Sequence, residues 1–334
     1  MQKSARYLKR VLLYTLWEVS LLKKKNSISK DYYGYIFIAP FIIIFITFIL
    51  FPIFNTLYLS FTDARIRPGS WRGDFVGFDN FTSLLGDHMF HMAVSNTWML
   101  WLFNFIPQMI LALVLAAMFA STTYKLKGAN IFKAVYYLPN LLMPVTIAAL
   151  FNTFLSLHGP LNQILVGMLG IMPEARNFGA FALDTRIVVI FLQTWMWFGQ
   201  TAIVLVAGMT SISPALYESA MIDGANQVKM FFRITLPLLK PVMLFVMVTS
   251  LVGGLQMFDI PHLYAGQFGN PDNSVLTVNM FMNLRRSFPS ALLGYSGAIS
   301  VLLFLMSSVV ALVLFRIFRE PDDAKVKKVR RVNS

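Results

Sequence analysis

The run Ile42-Ile43-Ile44-Phe45-Ile46 sits inside residues 36–62, a stretch with no Asp, Glu, Lys or Arg. Such a run has no polar side to turn toward water, unlike the amphipathic helix of a soluble domain. Five more charge-free stretches follow, at 88–124, 134–173, 187–217, 241–258 and 287–315. A helix climbs about 1.5 Å per residue and needs about 20 apolar residues to cross a ~30 Å hydrocarbon layer. All six stretches are near or above that length. The shortest, 241–258, continues past Asp259 with apolar residues, and Val301-Leu302-Leu303-Phe304-Leu305 in the last is again apolar on every side. Six buried helices would leave a chain of 334 residues too little else to cover them as a soluble core. The expected fold is an all-α integral membrane protein with six transmembrane helices.

Composition agrees. Hydrophobic residues make up 57% of the chain and charged residues only 13%, against roughly 25% charged in ordinary soluble domains. Cysteine is absent, which excludes disulfide scaffolds and cysteine-based redox, metal or nucleophile chemistry. The net charge of +13 would suggest nucleic acid in a soluble protein, so its distribution matters more than its size. With the N-terminus placed inside, segments 1–34, 121–134, 212–241 and 316–334 carry 21 of the 28 Lys and Arg. Short cytoplasmic loops collect Lys and Arg, so both termini are expected in the cytoplasm and the number of crossings is even. The positive charge is then an orientation signal, and no nucleic-acid partner is expected.

Residues 1–34 are read as a basic cytoplasmic segment. Val11 to Leu22 is too short to span and is followed by Lys23-Lys24-Lys25. An interfacial helix with Leu12, Leu16 and Val19 facing lipid fits that pattern. The six-helix membrane domain is expected over 35–318, followed by a basic cytoplasmic tail at 319–334.

No phosphate-binding Gly-x-x-x-x-Gly-Lys-Ser/Thr loop and no His-Glu-x-x-His motif occurs, and the four histidines have no metal-ligand spacing. No catalytic set and no metal site is expected. The informative segment is 212–241, between the fourth and fifth crossings. Ser213-Pro214 reads as an N-cap with proline in the first turn, and Gly224 as the exit from that helix with positive φ. Asp223 is placed to cap a second short helix toward Arg233, with Leu236-Pro237 and Pro241 as stops. A compact knob with an apolar side (Leu216, Ala220, Ala225, Phe231) suits insertion into a groove of a soluble partner.

The order Glu218-Ser219-Ala220-x-x-Asp223-Gly224-Ala225, followed by Phe231, Ile234-Thr235-Leu236-Pro237 and Pro241, resembles the Glu-Ala-Ala loop of ABC importer permeases of the binding-protein-dependent type. Ser219 stands where the second position is usually Ala, and Val228 where an aromatic is common. Phe75-Val76-Gly77-Phe78-Asp79-Asn80-Phe81, Tyr137-Leu138-Pro139, Gly159-Pro160-Leu161-Asn162, Phe258-Asp259-Ile260-Pro261 and Gly269-Asn270-Pro271 are similar to segments of the carbohydrate-uptake, maltose-transporter-like branch. The resemblance covers roughly 34–318 and implies the type I ABC importer permease fold. It implies that 212–241 is a coupling helix docked in a cytoplasmic ATPase, with Glu218 touching that ATPase and Gly224 allowing a close turn. Asp223, Ala220 and Ala225 would shape the contact. It further implies two ATPase subunits that hold ATP and Mg outside this chain, a second and similar permease subunit, and an extracytoplasmic solute-binding protein. The location implied is the bacterial inner membrane.

A solute path needs polar or aromatic lining, since polar groups facing lipid are costly. The candidates are Asn104, Asn152, Gln193, Trp195, Trp197, Ser250, Gly254, Gln256 and Asp259. Asn96, Trp98, Trp101, Gln108 and Gln200 lie on the same spans. Amides and carboxylates suit sugar hydroxyls, and aromatic faces suit sugar C–H surfaces. The expected function is therefore a carbohydrate permease without ATPase activity of its own. A permease of the same type for glycerol phosphate or a polyol is one alternative. An ion-coupled carrier is another, although it would want ionisable groups in mid-span, and the spans supply only Asp259, near an end.

Overall fold

The computed structural model describes residues 30–66, 73–120, 128–266, 270–287 and 291–318. The expected N-terminal interfacial helix, residues 121–127 of the 121–134 loop and the 319–334 tail lie outside the described residues. The chain divides into one unit ending at Tyr58 and a second beginning at Leu59.

The first unit is a single apolar rod. Helix α1 (Lys30–Phe45) passes through a π-helical turn, Ile46–Leu50, into α2 (Phe51–Ser60), whose last two residues belong to the second unit. Tyr32–Ser60 is long and apolar enough to cross a membrane.

The second unit contains α3 (Asp79–Leu85), α4 (His88–Phe119), α5 (Ala129–Leu141), α6 (Pro144–Phe154), α7 (Ala182–Thr210), α8 (Pro214–Ile222), α9 (Gln227–Met230), α10 (Lys240–Leu255), α11 (Asp259–Ala265), α12 (Val278–Arg286) and α13 (Leu293–Ile317). Among the described residues there is no strand, only isolated bridges such as Thr62 with Phe75. Side-chain caps fix several helix starts. Asp87 accepts from the Met89 amide at 2.8 Å to open α4, and Thr277 accepts from Met280 at 3.3 Å to open α12.

Helices α4 and α7 pack along each other over much of their length, and α5, α10 and α11 lean on α7. Their seam is lined by small residues, Ala112, Ala116 and Ala202, all fully buried. Two polar bonds cross it: Gln108 Nε2 donates to Thr201 Oγ1 at 2.8 Å, and Thr194 Oγ1 to the Asn104 carbonyl at 3.3 Å. Small residues and interhelical hydrogen bonds are what lipid leaves available for helix association, since lipid is as apolar as leucine. Helix α5 comes close to α7 at Gly199, where any Cβ would collide with the Tyr136 carbonyl. The other side of the unit is α13, against which α3, α10 and α12 pack around Phe281, Leu255 and Ile299. Away from these contacts the helices present apolar side chains outward, as at Phe304 and Leu312.

Among the described residues, five helical spans are long and apolar enough to cross a membrane, and a sixth is made if α5 and α6 count together. That pair covers the third expected crossing, within 134–173, and it is not one unbroken helix, because the chain bends by 91° between them. Leu142 (ψ 142°) and Met143 (ψ 135°) are extended, and Pro144 begins α6. A residue before proline is pushed out of the helical region by the proline ring, and Pro139 weakens the preceding turn. The fifth crossing also has a break, at Gln256–Phe258, between α10 and α11.

Candidate functional site

Three helices of the second unit enclose a cavity of about 290 Å³. Each contributes one face at helical spacing. Helix α4 supplies Trp101, Asn104 and Gln108; α7 supplies Gln193, Trp197, Gln200 and Thr201; α10 supplies Val246, Thr249, Ser250 and Gly254. The wall is closed by Gln256, Phe258 and Asp259 at the α10–α11 break and by Pro144 at the start of α6. The broken segments therefore turn non-helical backbone toward a cavity, the place where such backbone is tolerated at membrane depth.

Of the candidates read from the sequence, Asn104, Gln193, Trp197, Ser250, Gly254, Gln256 and Asp259 are brought together here. Asn104 and Gln193 are buried, whereas Trp197 is 44% exposed, its ring open to the cavity. Two candidates fall elsewhere. Trp195 points to the opposite side of α7 and packs edge-on against Phe151 at 5.7 Å. Asn152 is buried on α6 outside the lining, and neither of its amide atoms has a partner. Thr201, Thr249 and Phe258 line the cavity without having been singled out. The two threonines gave little signal, because a threonine in a membrane helix usually bonds its own backbone, as Thr249 Oγ1 does to the Phe245 carbonyl at 2.8 Å.

Asn96 and Trp98, on the same helix as the lining residues, have structural roles. Asn96 Nδ2 donates to the carbonyls of Asn273 (2.9 Å) and Leu276 (3.3 Å), while Arg186 Nε donates to Ser274 O at 3.0 Å. Together they pin the 270–278 segment to α4 and α7. Trp98 packs into the apolar cluster of α4, α10 and α13.

Near the start of α4, Arg285 Nη2 donates to Asp87 Oδ2 at 2.7 Å and the Tyr295 hydroxyl to the same oxygen at 3.1 Å. The guanidinium also lies over the Phe281 ring at 4.9 Å. Burial alone would raise the Asp87 pKa, but the Met89 amide, Tyr295 hydroxyl and Arg285 charge outweigh it and hold the carboxyl below its ordinary range. This cluster joins α4, α12 and α13.

The second candidate site is the helical knob between α7 and α10. Helix α8 runs from Pro214 to Ile222 with Asp223 as its C-cap, after which Gly224 takes φ 74°. A Cβ at Gly224 would meet nothing, so glycine is needed there for its left-handed conformation and not for a close approach. Ser213 occupies the N-cap position, but its side chain makes no capping bond. Asp223 does not cap the second helix either; Asn226 does, its Oδ1 accepting from Lys229 N at 2.8 Å. The expected proline stops are instead starts. Pro237 and Pro241 open a one-turn helix and α10, and the chain runs almost continuously helical from Gln227 to Leu255, through a π-helical stretch at Phe231–Thr235.

Glu218, Ser219, Asp223 and Gly224 are exposed on this knob, Ala220, Ala225 and Leu236 are half-buried, and Pro237 is exposed. Ser219 Oγ bonds back to the Ala215 carbonyl at 2.8 Å, so its hydroxyl is satisfied within the helix. The outward apolar surface is Ile222 (87% exposed), Val228 and Phe232, while Phe231 packs against the bundle. Tyr217 Oη and Thr235 Oγ1 share a hydrogen bond at 2.9 Å that ties α8 to the turn leading into α10.

A membrane-helix bundle with an internal cavity that sets amides and hydroxyls among apolar side chains, together with an exposed helical knob, has the form of a transport subunit. The family of binding-protein-dependent transport system inner membrane components matches residues 97–319, and the chain belongs to it. It is 33% identical to the lactose transport system permease protein LacF of Rhizobium radiobacter, over 88% of this chain and 98% of that one. It is 31% identical to the arabinooligosaccharides transport system permease protein AraP of Bacillus subtilis, over 86% and 89%. Among solved structures, a bacterial ABC transporter involved in the import of the acidic polysaccharide alginate superposes with a TM-score of 0.70. That match has 25% identity and covers 90% of this chain and 98% of that one.

Proposed function

We propose that this chain is a membrane subunit of an ATP-driven importer and that it conducts an uncharged carbohydrate through the α4–α7–α10 cavity. The observation that carries the reading is the cavity's chemistry. Amides of Asn104, Gln108, Gln193, Gln200 and Gln256 and the hydroxyls of Thr201 and Ser250 surround one open indole, Trp197. Amides and hydroxyls both donate and accept, matching sugar hydroxyls, and an indole face matches a ring's C–H surface. Among the described residues no Lys or Arg lines the cavity, while the Asp259 carboxylate does. An anionic solute such as glycerol phosphate would meet an opposing charge there with no cation to offset it. The names of the lactose and arabinooligosaccharide relatives point the same way.

The remaining assignments follow from the family and the loop. The exposed face of α8, with Glu218 and Ile222, is the coupling contact with an ATPase subunit, which holds the ATP and Mg this chain has no motif to bind. Closure of two such ATPases would rock the helices between inward-facing and outward-facing packings. Both termini and the knob lie on the cytoplasmic side, as the Lys and Arg distribution argues. The cavity opens on a single set of helices, so a second and similar permease subunit completes the path, and an extracytoplasmic binding protein delivers the solute.

A thermal-shift screen of the cognate binding protein tests the solute class. Neutral mono- or oligosaccharides should raise its melting temperature. Stabilisation by glycerol phosphate or other non-carbohydrates alone would defeat the carbohydrate assignment.

A further inference from the structure

Trp101 and Gly254 face each other across the cavity wall, one on α4 and one on α10. A Cβ built on Gly254 would overlap the Trp101 ring at Cδ1 and lie 2.6 Å from Cγ, atoms near the root of the side chain that cannot simply move aside. The Cδ1 side of the indole therefore rests against bare glycine backbone. Its Nε1 donates to the Ser250 carbonyl at 3.1 Å, one helical turn before Gly254. Its other side stacks on Phe105, with centroids 5.4 Å apart and planes 19° from parallel, and Trp98 meets its edge at 5.7 Å. One face, the Cδ1 side and the ring nitrogen are thus held by the protein, so the position of the indole in the cavity wall is fixed. Trp197, by contrast, is 44% exposed.

Resting on the carbohydrate reading above, we propose that Trp101 is a size-determining wall of the cavity and that Gly254 is a positioning residue whose role is to seat it. Trp101 sets how long a saccharide the cavity admits. Gly254 acts through the indole and does not itself touch the sugar. Its neighbour Gly253 provides an internal contrast: a Cβ there would meet nothing within 4 Å, although both glycines border the same cavity.

The test uses the whole complex in proteoliposomes, with ATP-driven uptake of a neutral disaccharide (lactose) and a neutral trisaccharide (raffinose) measured at saturating binding protein. Trp101→Ala should raise the trisaccharide-to-disaccharide ratio of kcat/KM at least about fivefold. Gly254→Ala should lower uptake of both by about tenfold or more, because the displaced indole must swing into the cavity. In the double variant Gly254→Ala/Trp101→Ala, uptake should return to within about twofold of Trp101→Ala alone, since the new methyl then meets no ring. Should Trp101→Ala prevent assembly of the complex, Trp101→Val, which has no δ carbon to meet the new methyl, gives the same comparison alone and with Gly254→Ala. A length preference unchanged within about twofold in Trp101→Ala or Trp101→Val would overturn the size role. A double variant as impaired as Gly254→Ala would overturn the seating role. If the wild-type complex carries no saccharide at all, the carbohydrate assignment falls. In that case Gly254→Ala and its rescue are read with whichever solute stabilises the binding protein, and failure of the rescue there overturns the seating role by itself.

Discussion

The knob at 212–241 and the cavity between α4, α7 and α10 differ in how they are built. The knob is local: one contiguous segment supplies a helix, a left-handed glycine and a second helix, and its functional groups point out into solvent. The cavity is assembled from three helices spread over roughly 160 residues of chain, and each of its groups points inward. A surface that meets a protein can be written in a short motif. A surface that meets a diffusing solute has to be gathered by packing, so a single helix turned by 100° would lose it.

The difference predicts different failures. The largest effect is expected at the knob. Glu218→Ala should reduce ATP-driven uptake by at least about 20-fold and loosen ATPase association. The melting temperature of the permease should barely move, since surface substitutions usually cost within about 0.5 kcal/mol. Unchanged uptake and association would show that the knob does not couple. In the cavity, Trp197→Ala should raise KM for a transported saccharide about tenfold, or about 1.4 kcal/mol of binding, with ATPase association intact. An effect on association instead would erase the distinction between the two regions.

Smaller effects test the connections that hold these regions in place. Tyr217→Phe deletes the hydrogen bond to Thr235, and scanning calorimetry should register a loss of about 1 kcal/mol. No loss would show that α8 is held by apolar packing alone. The Asp87 cluster makes the mildest prediction. Its folded pKa is depressed, so the stability it adds is present above the unfolded value of about 3.9 and is lost as pH falls through the folded value. Asp87→Asn should lower the melting temperature by a few degrees at pH 7 and flatten its decline below pH ~4. A parallel decline in the variant would place the acid sensitivity elsewhere.

How much was legible in the sequence follows the same division. The membrane character was written in the charge-free stretches, and the knob's helix–glycine–helix order in Pro214 and Gly224. Its finer chemistry was not: Asn226 takes the capping role assigned to Asp223, because the turn needs two more residues before φ and ψ return to helical values. In the bundle, seven of the residues picked out in apolar helices line the cavity. Trp195 and Asn152 lie outside it, because polarity alone does not give helical phase. Trp195 lies two residues from both Gln193 and Trp197, and two residues turn a helix to its other side. The bend at Pro144 was likewise present as Pro139 and Pro144, but the absence of charge across 134–173 read as one continuous crossing. Gly254 was named as a solute-path candidate, and a glycine there leaves room beside the backbone. What occupies that room, the Trp101 indole from more than 150 residues away, is a property of packing that no local pattern carries.

The central claim, a carbohydrate permease driven by a partner ATPase, is tested most directly by uptake into proteoliposomes containing this chain, its partner permease, the ATPases and the binding protein. With ATP on the ATPase side and no ion gradient, a saccharide that stabilises the binding protein should accumulate, and omission of the ATPases should abolish that accumulation. Accumulation driven by a proton or sodium gradient in vesicles lacking the ATPases would contradict the account.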